Sequence, residues 1–120
     1  MKPYQDARVE GEKLAKQYVE LEKADQVGFF NGSEAYYSIL GHNKKQEAIA
    51  VLIEKNDHKI YVYQLDKGIS QDKAATISRE KGASDIDKVT FGRYQDKPIW
   101  EVKSGNQYYL VDFETGAVIQ

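Results

Sequence analysis

The sequence predicts an α+β fold of two tandem units, each one helix packed on an antiparallel β-meander, over residues 1–66 and 67–120. Three observations point there. Each half opens with apolar residues three and four apart, the spacing of one helical face. Each half then changes to a period of two, the mark of a strand with distinct faces. Polar and glycine-containing turns such as Asn31-Gly32 and Ser104-Gly105-Asn106 separate the alternating runs.

The first helix is expected over Tyr4 to Lys23. Ala7, Gly11, Leu14, Ala15, Tyr18 and Leu21 form its apolar side, opposite Arg8, Glu12, Lys16 and Glu20. Pro3 suits the first turn, where a missing N–H costs nothing. Val27 to Asn31 is a short strand, ended by Asn31-Gly32. Tyr36 to Gly41 alternates, with Tyr37 and Ile39 on one side and Tyr36, Ser38 and Leu40 on the other. Glu47 to Glu54 is apolar on both sides and is therefore a central strand. Lys59 to Gln64 completes the meander, with Ile60 and Val62 facing one way and Tyr61 and Tyr63 the other.

The second helix starts at a marked cap. The Ser70 hydroxyl can accept a first-turn N–H, and Gly82 suits a left-handed exit. Ala74, Ile77, Ser78 and Lys81 define its inward side. Strands follow over Asp85 to Arg93, Ile99 to Lys103 and Tyr108 to Phe113, with a last short one at Ala117 to Ile119. Trp100 belongs to the core of this half.

Composition narrows the function classes. With 41% hydrophobic and 30% charged residues the chain is a folded globular protein. A net charge of −2 leaves no electrostatic footprint for nucleic acid. No apolar run approaches the ~18 residues of a membrane span. The chain has no cysteine, which excludes disulfides, thiolate metal sites and cysteine nucleophiles.

No catalytic or cofactor-binding constellation stands out. His42 and His58 are the only histidines, 16 residues apart, with no acidic residue at metal-ligand spacing, and both read as turn residues. Asp85-Ile86-Asp87 and Asp112-Phe113-Glu114 fall short of the closely spaced oxygens of a calcium loop, and turn chemistry accounts for them. No Gly-x-Ser-x-Gly, dinucleotide or phosphate-loop motif occurs. The expectation is therefore no catalytic residue, no metal and no cofactor. What remains is surface. Nine Tyr, four Phe and one Trp weight the composition toward rings, and Phe29, Phe30, Tyr36, Tyr37, Tyr61 and Tyr63 concentrate in the first half. Each adjacent pair offers one inward and one outward ring, so the outward set forms a candidate partner-binding face if it clusters on an uncovered side of the sheet, the alternative being that these rings pack on the second half.

The second half resembles the PepSY module. The residues that carry this are Ile69-Ser70-Gln71-Asp72-Lys73-Ala74-Ala75, Gly82, Val89, Phe91, Pro98-Ile99-Trp100-Glu101-Val102, Tyr108-Tyr109-Leu110-Val111-Asp112 and Thr115-Gly116-Ala117-Val118. The first half, with Ala7, Glu10, Ala15, Tyr18 and the meander through Tyr61-Val62-Tyr63, is similar to the partner domain of the YpmB/TseB-like proteins of Gram-positive bacteria. The resemblance implies two cystatin-like units outside the cytoplasm, held by one N-terminal membrane helix that would precede Lys2. It implies a non-enzymatic role in regulating cell-wall elongation, through contact with a penicillin-binding transpeptidase. PepSY modules more widely suggest an alternative, regulation or inhibition of an envelope peptidase by a strand edge or by a hairpin such as Phe29 to Ser33.

Overall fold

A computed structural model of the chain describes residues 21–32 and 34–119. The chain divides into two compact units, Met1–Gln64 and Leu65–Gln120.

The described part of the first unit is a four-stranded antiparallel sheet. Its strands are β1 (Leu21–Asn31), β2 (Ala35–Asn43), β3 (Ala48–Glu54) and β4 (Ile60–Gln64), in that spatial order. The turn between β2 and β3 is tied by Asn43, whose Oδ1 accepts the N–H groups of Lys45 and Glu47 at 2.9 and 3.0 Å. The two inner strands are buried on both faces. Tyr37, Ile39, Ile49, Val51 and Ile53 form the core of one face together with Leu21. Tyr36, Leu40, Ala50 and Leu52 are buried on the other. The continuous apolar run of β3 is the sequence cause, and its central place was legible from it.

β1 is longer than its apolar residues suggest. Leu21 pairs with Asn43, and the pairing runs through to Asn31 opposite Ala35. The register shifts between Leu21 and Lys23, and again between Ala24 and Gln26, so Glu22 and Asp25 are the extra residues of two bulges. Gly41 is required here. A methyl group on it would run into the Lys23 carbonyl and would lie 2.9 Å from Leu21 Cδ1.

These observations correct the expected fold class. Among the described residues the protein is mostly antiparallel strand in two separate sheets, with one α-helix, and not a pair of tandem helix-on-meander units. The helix expected over Tyr4 to Lys23 is strand at Leu21–Lys23, and its remainder lies outside the described residues. The physical reason is that Leu21–Lys23 finds backbone partners along β2. Ladder bonds and the burial of Leu21 outweigh the small helix preference of Leu, Glu and Lys.

The second unit begins with a single 3₁₀ turn, Leu65–Lys67, followed by α1 (Gln71–Glu80). Ser70 caps α1, its Oγ accepting the Lys73 N–H at 3.0 Å. Such a cap contributes about 1 kcal/mol. Gly82, at φ +113°, ends the helix, with Ala83 N–H donating to Ser78 O and Gly82 N–H to Arg79 O. Ala74, Ala75 and Ser78 are the buried positions of α1, whereas Lys81 is exposed.

The sheet of this unit is β5 (Lys88–Tyr94), β6 (Lys97–Ser104) and β7 (Gln107–Asp112), antiparallel and in sequence order. Its core is a set of three rings. Phe91 meets Trp100 edge-on at 5.0 Å and Phe113 at 5.2 Å, and Trp100 and Phe113 are 6.4 Å apart. All three are almost completely buried. The connector before α1 is fastened to this core. Trp100 Nε1 donates to Ile69 O at 3.0 Å, and Ile69 N–H donates to Phe113 O at 2.8 Å. Residues 117–119 return along β7, with a bridge between Val111 and Val118.

Candidate partner-binding surface

The register of the first sheet distributes the six candidate rings between its faces. Phe29 stands opposite Tyr37, Phe30 opposite Tyr36, and Tyr61 opposite Leu52, which itself pairs with Ser38. Because side chains alternate, Phe29 and Tyr37 share one face, and Phe30, Tyr36, Tyr61 and Tyr63 share the other. On the first face the Phe29 and Tyr37 rings lie 5.7 Å apart. On the second, Tyr36 bridges Phe30 and Tyr61, each at 6.3 Å.

Their exposure differs from the simple pattern of one ring in and one ring out. Phe30, Tyr36 and Tyr37 are 1%, 4% and 6% exposed, and so serve as internal packing. Phe29, Tyr61 and Tyr63 are half-buried and keep part of each ring at the surface. Both members of the Tyr36-Tyr37 pair are inside because both faces of β2 are covered, a property set by distant parts of the chain and not by local period.

Two residues join the picture that the sequence did not single out. Lys55, exposed in the turn after β3, holds its Nζ 5.0 Å from the Phe29 ring and 5.7 Å from that of Tyr37, within cation–π range. Val62, on the same side of β4 as the core-packed Ile60, is 45% exposed. A Lys directly after an apolar strand was the available signal for the first. Nothing local marks an edge strand, so none was available for the second.

The same end of the sheet carries negative charge. Partial burial, and then the nearby charges of Asp57 and Glu34, push the Glu54 carboxyl above the usual glutamate value. His42 is a strand residue, and its Nδ1 lies 2.8 Å from Oδ2 of Asp25, the residue that the second bulge of β1 inserts. In the second unit Asp112 and Asp87 serve turns. Asp112 Oδ1 accepts the N–H groups of Glu114 and Thr115, and Asp87 Oδ2 accepts that of Gly105. Among the described residues no three His, Asp or Glu side chains are grouped to hold a metal ion. Among those residues, too, no helix is long and apolar enough to cross a membrane.

An antiparallel sheet with partly exposed aromatic rings, followed in the chain by a small helix-and-sheet unit with an aromatic core, defines a class of small β-rich domain. Comparison with known proteins then supplies the family. Residues 10–54 match the cell wall elongation regulator TseB-like domain. A protein of Bacillus subtilis (strain 168) described as the probable cell wall elongation regulator TseB is 38% identical over 114 residues, covering 88% of this chain and 70% of that protein. The solved structure of the YpmB protein from Bacillus subtilis matches with a TM-score of 0.78 and 32% identity, over 100% of this chain and 97% of that one. The chain belongs to the TseB-like family of cell wall elongation regulators.

Proposed function

We propose that this chain is a non-catalytic, extracytoplasmic interaction module that regulates cell-wall elongation by binding a penicillin-binding transpeptidase. A membrane helix ahead of the segment would hold it at the cell surface. The observation that carries the reading is the 38% identity to a cell wall elongation regulator across both units rather than one. The half-buried rings Phe29, Tyr61 and Tyr63, with Lys55 beside Phe29, supply the anchor types that protein interfaces favour.

The test is a titration of the isotope-labelled chain with the soluble extracytoplasmic part of a penicillin-binding transpeptidase, followed through amide shifts. The expected result is a set of shifts localised to one face of the sheet, around Tyr61 and Tyr63 and lost in Tyr61→Ala, or around Phe29 and Lys55 and lost in Phe29→Ala. No shift at about 100 μM, the weak range of transient complexes, refutes direct contact by this segment. Shifts on adding an envelope peptidase instead would move the role to peptidase regulation.

A further inference from the structure

Among the described residues, three of the four outer sheet edges are guarded. The outer edge of β1 carries the two bulges and the charged Glu22 and Asp25. That of β7 is covered by residues 117–119, through the Val111–Val118 bridge and the Ile119 N–H to Leu110 O bond. On β5 the Gln71 side chain occupies the Val89 carbonyl at 2.9 Å, and Lys88 and Arg93 add charge. β4 has none of these devices. Ile60-Tyr61-Val62-Tyr63-Gln64 contains no charge, no proline and no bulge, and among the described residues no strand lies on its outer side. An edge of this kind is a template for another strand.

The hydrogen-bond phase of the sheet says which groups face outward. Lys55 N–H donates to Ala35 O, so β3 turns Ile53, Val51 and Ile49 toward β2. Glu54 N–H donates to Lys59 O, so Glu54, Leu52 and Ala50 turn toward β4. The backbones of Tyr61 and Tyr63 therefore bond inward to Leu52 and Ala50. Those of Ile60, Val62 and Gln64 point out.

These outward groups are self-complementary. When two copies of β4 run antiparallel about a twofold axis at Val62, Val62 faces Val62 of the second copy. Ile60 then faces Gln64 of the second copy, and Gln64 its Ile60. Each such pair exchanges both of its N–H···O=C bonds, so every outward group is satisfied at once. Tyr61 meets Tyr63 of the second copy on one face, and the two exposed Val62 side chains cover each other on the opposite face. Shifting the axis to Tyr61 or Tyr63 leaves one outward residue without a partner.

We infer that β4 is a homodimerisation edge, joining the four-stranded sheets of two copies through an isologous contact centred on Val62. One short strand buries less than the ~1,200 Å² of a standard interface, so the dimer is weak and reversible. This inference does not depend on the transpeptidase reading.

Sedimentation of the 120-residue chain from about 10 μM to about 1 mM, the range of weak complexes, tests it. The average mass is expected to climb from 13.7 kDa toward twice that value. Val62→Lys sets two like charges face to face at an exposed site, and is expected to hold the mass at 13.7 kDa with an otherwise unchanged amide spectrum. Hydrogen exchange supplies a second readout in the unaltered chain. The amides of Ile60, Val62 and Gln64 should slow as concentration rises, while those of Tyr61 and Tyr63 stay constant. A constant mass of 13.7 kDa, self-association undiminished in Val62→Lys, or protection without this alternation overturns the proposal. So does protection of the outward amides only after a transpeptidase is added, which would assign the edge to a strand of that partner.

Discussion

Replacing Phe113 with Leu tests the packing of the second unit at its centre. Phe113 is 2% exposed, and its ring lies 5.2 Å from Phe91 and 6.4 Å from Trp100, edge-on to both. Leu keeps the backbone bonds to Ile69 and Pro98 but removes both ring contacts. Such contacts contribute about 0.5–1.5 kcal/mol each. Leu refills only part of the ring's volume and leaves a residual cavity. The net loss is about 2 kcal/mol. A unit this small unfolds with a urea dependence near ~1 kcal/mol per molar, so the midpoint should fall by about 2 M. The assay is Trp100 fluorescence during urea titration, since the chain's single Trp lies in this cluster and reports on this unit. Tyr108→Leu is the control. At 54% exposure it should stay within about 0.5 kcal/mol of the parent. A shift below about 0.5 M for Phe113→Leu, or equal shifts for both variants, would refute the three-ring core.

Gly41→Ala should destabilise the first unit by about 3 kcal/mol, the upper end of overpacking costs, because the clash is with the Lys23 backbone and not with a yielding side-chain tip. Far-UV circular dichroism during urea titration measures this, and an unchanged midpoint would contradict the close approach of β1. Glu101 predicts a pH trend in the second unit. Burial raises its carboxyl pKa above the usual 4.5, and Lys88 opposes this only in part. The native state therefore favours the protonated form. The stability this confers is complete below pH 4.5 and is lost as pH rises through the raised native value. Urea midpoints followed at Trp100 should fall from pH 4.5 upward, and Glu101→Gln should flatten that fall. An identical slope in the variant would show that the trend has another source.

The parts of the fold legible in the sequence are those whose causes are local. Ser70 and Gly82 bracket α1 because capping is settled within a few residues. The unbroken apolar run of β3 shows its central place without knowledge of what covers it. The errors arise where a distant partner decides. Leu21–Lys23 has the composition of a helix end, and only β2 makes it a strand. His42 stands beside a turn in sequence, and only the bulge at Asp25 gives it an acidic neighbour. The candidate face behaves the same way. Alternation separates Tyr36 from Tyr37 correctly, yet both are buried, because alternation assigns a side chain to a face and cannot say which faces are covered. Val62 is the converse case, a residue that shares a side with the core-packed Ile60 and that an edge position leaves exposed.

The fastening of Ile69 determines where the second unit begins as a mechanical object. Ile69 is gripped from both sides, its N–H by Phe113 and its carbonyl by the Trp100 indole, and Gly68 lies so close that a methyl group there would sit 2.7 Å from the Phe113 ring. Tension applied through the chain ahead of Leu65 therefore does not pull first on α1. It is delivered to the middle of β6, which carries Trp100, and to Phe113 just past the end of β7, and the helix bears load only after those two bonds have parted. A fragment meant to hold the second unit alone must keep Gly68 and Ile69, since a cut after Ile69 would remove both bonds and open the aromatic cluster to water.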